Sequence, residues 1–405
     1  MRAAVVACLV IPAVAAAEDS RDRAPEFAEP TDTPVIGGSN TPAGKWPDVA
    51  AVRFDGQQGC TGTLIAPTVV LTAGHCISSD LDSVLIGTSS LARPQEGEIL
   101  PVIERIEYPN SFSSYDIGVL ILGLPATKPP RAIATGWARF DIKNNAEVAI
   151  VGYGAIDEDS SMFVNELQEA MTTITDAACE ISSGCHTQAQ PAGELGAGGG
   201  NIDTCQGDSG GPLYLTTGYG TFLAGVTSRA YSNATTTCGE GGLYTRPDKV
   251  IDWIEDVAEV KVSRGPEPSA EAMVAVRGNA AETTIEPNDP KTNDHTFTIT
   301  TPPGYGMAVV REDGRVRVCT NDDVAGDDTM VITVTDKANP ERSVAVKLPI
   351  TIEDGEPGAD CDPNAFEDES SEGGGCCDSG HGSAGMVPLA AFVLVMLLRR
   401  RHAIA

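Results

Sequence analysis

Basic residues are scarce in this 405-residue sequence: 27 Lys and Arg stand against 57 Asp and Glu, a formal net charge of −30. Nucleic-acid binding needs clustered Lys and Arg against phosphate, so that class of partner is excluded. The acidity itself reads as a solvated surface. Long apolar runs are lacking too. The C-terminal stretch Ala384 to Leu398 is shorter than the roughly twenty residues of a full membrane span. What is present suffices for folding, because 41% hydrophobic residues can bury a sizeable core. The length allows two or three domains.

The chain is organised around Asp203-Thr204-Cys205-Gln206-Gly207-Asp208-Ser209-Gly210-Gly211-Pro212. Glycines on both sides of a serine make a loop, since Gly adopts torsions closed to other residues. Such a loop aims successive N–H groups at one point and leaves the hydroxyl exposed, as attack on a carbonyl requires. Serine needs a histidine base and an orienting carboxylate. Both stand upstream, in Leu71-Thr72-Ala73-Gly74-His75-Cys76 and Tyr115-Asp116-Ile117-Gly118.

Together with Val35-Ile36-Gly37-Gly38, these motifs make residues 35–258 resemble a trypsin-like serine protease of the chymotrypsin family. The chain order His75, Asp116, Ser209 is that of chymotrypsin, distinct from subtilisin and the α/β-hydrolases. The resemblance implies an all-β fold of two six-stranded antiparallel barrels and hydrolysis of protein or peptide substrates. It implies His75 as base, Asp116 as its orienter, and Gly207 and Ser209 N–H as oxyanion donors. Asp203, six residues before Ser209, takes the place of the carboxylate at the pocket floor that selects Arg or Lys. Ser228, Ala230 and Gly242 take pocket positions. Arg229 replaces a tryptophan that backs the substrate, and its charge is expected to favour acidic residues further along the peptide. The implied disulfides are Cys60–Cys76 and Cys205–Cys238, and Cys179 with Cys185 makes a short third pair. No cofactor or metal is required. Gln95-Glu96-Gly97-Glu98 sits where many relatives carry a calcium loop, but its glutamates read as solvated.

Residues 1–17 read as a signal peptide and 18–34 as a propeptide. By resemblance, cleavage frees the amine of Val35 to pair with Asp208 and shape the oxyanion loop. Pro34 precedes Val35 where tryptic zymogens carry Arg or Lys, so the activating protease is unknown. Gly193 to Gly200 reads as a flexible insert and His186 as a surface residue. Val250 to Val257 has helical spacing and reads as a terminal helix docked on the second barrel.

Residues 259–269 read as a linker, and 270–353 as an immunoglobulin- or cadherin-like β-sandwich with period-two strands. There Cys319 reads as a buried free thiol, and Asn321-Asp322-Asp323 with Asp327-Asp328 as ordinary acidic turns rather than a calcium site. An acidic Gly/Ser/Cys-rich tether at 354–383 leads to a hydrophobic segment at 384–398 and a basic tail at 399–405. The cluster Cys376-Cys377-Asp378-Ser379-Gly380, the apolar stretch and Arg399-Arg400-Arg401 resemble the myxobacterial C-terminal sorting signal. That implies an exported enzyme attached to the membrane or bacterial cell surface. The alternative is a catalytically silent binding or adhesion protein on the same fold. Such relatives usually lose His, Asp or Ser, and all three stand here.

Overall fold

The computed structural model of the chain describes residues 35–358 and 361–366. The signal, propeptide, hydrophobic and basic segments, and most of the tether, lie outside the described residues.

Strands β1 (Ser39–Asn40), β2 (Val49–Phe54), β3 (Gln57–Ala66), β4 (Val69–Thr72), β5 (Leu81–Ile86), β6 (Glu98–Glu107) and β7 (Gly118–Leu122) come first. All but β1 close into a six-stranded barrel in the order β2-β3-β4-β7-β6-β5. Its strands are runs of Val, Ile, Leu, Ala and Thr whose side chains fill the interior, as in β4, Val69 to Thr72, buried throughout. The β2–β3 hairpin is closed by Asp55-Gly56 with φ of 48° and 80°. Two successive positive φ values make the turn that matches strand twist, which favours this dipeptide.

The second barrel is built from β8 (Glu147–Gly152), β9 (Gln168–Asp176), β10 (Glu194–Ala197), β11 (Pro212–Thr217), β12 (Gly220–Ala230) and β13 (Gly242–Thr245). These pair in the order β9-β10-β13-β12-β11-β8, and β8 pairing with β9 closes the ring, with β1 added alongside β9. Strand β10 corrects the reading of 193–200 as a flexible insert: four of its residues are a fully buried strand. The glycines only turn the chain on leaving it.

The barrels are locked across their seam. Trp46 stacks on Tyr214 at 4.5 Å, and Arg131 lies 4.8 Å over the Tyr214 ring. Arg131 also holds Asp48 through Nε at 3.0 Å and Nη2 at 2.6 Å, while the Tyr214 hydroxyl donates to the same carboxylate. A buried carboxylate is tolerated here because its oxygens are matched by charged and hydroxyl donors. Helix α1 (Ile251–Ala258) also crosses this seam. Its Trp253 meets Tyr108 of the first barrel edge-on at 4.8 Å, so the helix spans both barrels instead of resting on the second alone.

Strands β14 (Met273–Val276), β15 (Ala280–Thr284), β16 (His295–Thr301), β17 (Gly306–Val310), β18 (Arg315–Thr320), β19 (Gly326–Asp336) and β20 (Ser343–Glu353) form the sandwich. One sheet runs β14-β20-β19-β16 and the other β15-β18-β17. Along β20 the alternation is strict: Val344, Val346, Leu348, Ile350 and Ile352 are buried and the residues between them face out.

Two features differ from the sequence reading. Cys319 is bonded to Cys361 at 2.02 Å, so it is no free thiol. The linker is a strap: Ser263 N donates to Ile65 O at 3.0 Å, Gly265 N to Ile133 O at 2.9 Å, and Trp137 N to Pro266 O at 2.8 Å. Trp137 itself, from the connection between the barrels, is fully buried in the sandwich core beside Ile285, Met330 and Leu348. Its Nε1 donates to Pro287 O at 2.7 Å, and Arg139 Nη2 reaches Ser343 O at 2.7 Å. Barrels and sandwich therefore share apolar burial, and 35–363 is one compact unit. The acidic turns have partners of their own. Asp328 accepts from Gly304 N and Tyr305 N, Glu96 pairs with Arg93, and Glu98 accepts from Thr127. Among the described residues no helix is long and apolar enough to cross a membrane.

Candidate active site

His75 lies on a 3-10 turn, Gly74–Cys76, directly after β4. The disulfide Cys60–Cys76 ties that turn to β3. Asp116 precedes β7, the strand paired with β4, so strand pairing brings the two residues together. His75 N donates to Asp116 Oδ1 at 2.9 Å, and His75 Nδ1 lies 2.8 Å from Oδ2. A carboxylate can only accept, so the Nδ1 carries the proton and Nε2 is left able to accept one. Burial pushes the Asp116 carboxyl upward, but the hydrogen bond and charge of His75 and the Ser228 hydroxyl together outweigh it. They hold the group below the usual carboxylate range.

Ser209 comes from the second barrel, in the loop before β11. Its carbonyl accepts from Thr61 N at 2.8 Å and lies 3.7 Å from Cys76 Sγ, the neighbour of His75. Gly210 makes this approach possible: at φ 81°, a Cβ there would stand 2.6 Å from Ala73 N and nearer still to Thr72 Oγ1. The flanking peptides are fixed by their carbonyls. Gln206 O accepts from Ala155 N at 2.8 Å and Asp208 O from Gly211 N at 2.7 Å. Because peptides are planar and trans, this aims the Gly207 and Ser209 N–H groups the opposite way. Gln58 Nε2 and Thr61 Oγ1 hold the Gly207 carbonyl at 3.0 Å and 2.8 Å.

Val35 is buried with its side chain in the second-barrel core, and Ile36 bridges to Asp203. Asp208 is fully buried and accepts from Cys205 N at 2.9 Å and Gly154 N at 2.7 Å. Burial pushes its carboxyl up to about 7, against those two bonds. In the uncut chain Val35 N is an amide, which leaves this carboxyl no cation to offset its desolvation. A folded state that keeps its proton to higher pH than the unfolded chain loses stability as pH rises through the gap. The uncut chain is therefore expected to weaken between pH 4 and about 7. Urea midpoints across that range for the full chain and its Asp208→Asn variant check this. An identical slope in both would exclude Asp208 as the cause.

Asp203 is buried, two residues before the Cys205–Cys238 bridge. It accepts from Thr204 N at 2.8 Å, Gly239 N at 2.8 Å and Gly241 N at 3.0 Å. Burial, with help from Glu240, pushes its carboxyl up to about 6 despite those three bonds. Ala230 and Gly242 face each other directly across the β12–β13 ladder. Ser228, next to Arg229 on β12, turns its side chain toward Asp116. Its hydroxyl donates to Asp116 Oδ2 at 2.6 Å, because a buried carboxylate draws every donor in reach.

Arg229 departs from expectation. Its guanidinium holds the buried Glu194 at 2.7 Å and 3.1 Å and Gly184 O at 2.7 Å, so its charge is matched inside the protein. His186 is half-buried rather than a surface residue, its N on Glu194 Oε2 and its Nδ1 on Ser114 O, both at 2.6 Å. The Cys179–Cys185 bridge closes the neighbouring turn. Sequence reasoning missed Glu194 because it lies between glycines, a setting that reads as loop.

Residues 35–254 match the trypsin family. Over 231 residues the chain is 31% identical to "Trypsin" of Saccharopolyspora erythraea, covering 54% of this chain and 95% of that protein. It is 28% identical over 230 residues to "Brachyurin" of Leptuca pugilator, covering 55% of this chain and 97% of that protein. Over 255 residues it is 29% identical to human "Serine protease 56", covering 60% of this chain but only 41% of that relative's length. Matching over more than half its length, with both barrels closed and strand pairing that brings His75 to Asp116, the chain belongs to the trypsin family.

Proposed function

We propose that this chain is an exported serine endopeptidase that hydrolyses peptide bonds through an acyl-enzyme, after Arg or Lys. The observation that carries the reading is the His75–Asp116 pair at 2.8 Å, with the Ser209 loop bonded against the same barrel. Ser209 Oγ attacks the carbonyl and His75 Nε2 takes its proton, later giving it to the leaving amine. Asp116 keeps the tautomer and stabilises the imidazolium, and the N–H groups of Gly207 and Ser209 receive the oxyanion. Asp203 forms a charge-assisted pair with the substrate's basic side chain.

Activation follows cleavage before Val35 by a protease that accepts Pro34, and the freed amine pairs with Asp208. Residues 1–17 and four disulfides support export into an oxidising compartment. The Cys376-Cys377 cluster, apolar stretch and Arg run support attachment at the bacterial cell surface.

The test is turnover of small Arg, Lys, Phe and Ala amides by the full chain with Val35 as N-terminus. Preference for Arg over Phe is expected to rise with pH through about 6 as Asp203 ionises. The Asp203→Asn variant is expected to lose that preference at every pH. A preference for Phe or Ala in the unaltered enzyme would sink the pocket assignment.

A further inference from the structure

The Arg229–Glu194 pair touches the catalytic residues at one point, Ser228. Arg229 Nη1 donates to Ser228 Oγ at 2.9 Å, and Ser228 Oγ donates to Asp116 Oδ2 at 2.6 Å. We propose that Arg229 is a positioning residue for the His75–Asp116 pair, acting through Ser228; the proposal rests on the protease reading above.

The argument is one of donor counting. A serine hydroxyl carries one proton and two lone pairs, whereas a guanidinium only donates. With Arg229 filling one lone pair, the Ser228 proton has no role on that side, and it goes to Asp116. The guanidinium is held for this task. Glu194, wholly buried, grips it bidentately, and Gly184 O takes a further N–H. His186 braces Glu194 from behind through its N–H, and its ring fastens to Ser114 O, two residues before Asp116.

The ion pair thus carries no net charge but points its positive end at Ser228. The bonded chain runs Glu194, Arg229, Ser228, Asp116, His75. Arg229 and His75 are partly exposed, but Glu194, Ser228 and Asp116 are buried. Hydrogen bonds joined through buried groups polarise one another, so a change at one end is felt at the other.

The test uses the full chain. Removing Arg229 alone would strand a buried carboxylate, so Arg229→Met is combined with Glu194→Gln, which leaves no unpaired charge. Two readouts are followed: kcat and KM on a small Arg amide, and the low-field proton resonance of His75 Nδ1–H. The combined variant is expected to lower kcat about tenfold, the loss of roughly one hydrogen bond, with KM within about twofold. It is also expected to move the resonance. In a Ser228→Ala background the same substitutions are expected to change neither, because the route to Asp116 is already cut.

Equal effects in both backgrounds, or a rise in KM alone with an unmoved resonance, would overturn the proposal and leave Arg229 as a cleft wall. Should the combined variant not fold, Arg229→Lys gives the same comparison, since one ammonium cannot serve Glu194, Gly184 and Ser228 together. If the unaltered chain hydrolyses nothing, the protease reading falls, while the resonance still decides the role of Arg229.

Discussion

Ser209→Ala, in the full chain with Val35 free, is expected to lower kcat by about four to six orders of magnitude. KM and the urea midpoint are expected to stay unchanged. The separation of activity from stability follows from how the loop is held. Its carbonyls are fixed by Ala155 N, Gly211 N and Thr61 N, and Asp208 is anchored by Cys205 N and Gly154 N. None of these bonds involves the Ser209 hydroxyl, so the alanine variant keeps the oxyanion donors in place. The activity that remains measures what binding and those donors supply alone. Asp116→Asn is expected to cost about four orders, since an amide that donates to His75 Nδ1 selects the wrong tautomer. Active-site titration of the enzyme with an acylating ester gives the count of acylated serines. Ser209→Ala that still acylates stoichiometrically would sink the nucleophile assignment.

Trp137→Ala is expected to destabilise barrels and sandwich together, by about 3–5 kcal/mol, the usual cost of truncating a buried tryptophan. For a unit of this size that corresponds to a fall in Tm of roughly 4–7 °C. The side chain is fully buried among Ile285, Met330 and Leu348, and its loss also strands the Pro287 carbonyl that takes its N–H. Arg342, lying 5.6 Å over the same ring and paired with buried Asp289, loses one of its two ring contacts and keeps only Phe140 at 5.5 Å. Calorimetry distinguishes the outcomes. One transition moving down as a whole is expected; a sandwich that melts early beneath unaltered barrels would show the two to be separable. A chain cut at residue 258 is expected to behave worse still, because it also loses the strap that Ser263 and Gly265 hold against Ile65 and Ile133.

The trypsin-family motifs were legible in the sequence because each depends on a short local pattern. Gly210 admits a close approach, Cys76 fixes the histidine turn, and period-two runs such as β20 declare their buried face. What stayed hidden depended on partners remote in the chain. Glu194 looks like a loop charge and Arg229 like a charge facing substrate until β10 and β12 place them together. Nothing in the composition around Trp137 says that its ring belongs to the core of another sheet pair. Cys361 sits in an acidic, Gly-rich stretch whose composition argues for disorder, so Cys319 had no visible partner. The strap was misread for the same reason, since Pro, Ser and charge describe a segment's solubility and not its hydrogen bonds.

The Cys319–Cys361 bond also sets how the protein would carry a mechanical load. Any pull on the chain beyond residue 361 passes through sulfur into Cys319, on the central strand of the β15-β18-β17 sheet. The chain after β20 is tied down as well, since Arg277 Nε donates to Gly355 O at 2.9 Å and pairs with Asp354. Both ties take load off the end of β20, whose long ladder with β19 would otherwise unzip one rung at a time. A chain pulled from beyond residue 361 would be held at the middle of a sheet, where many hydrogen bonds must yield at once.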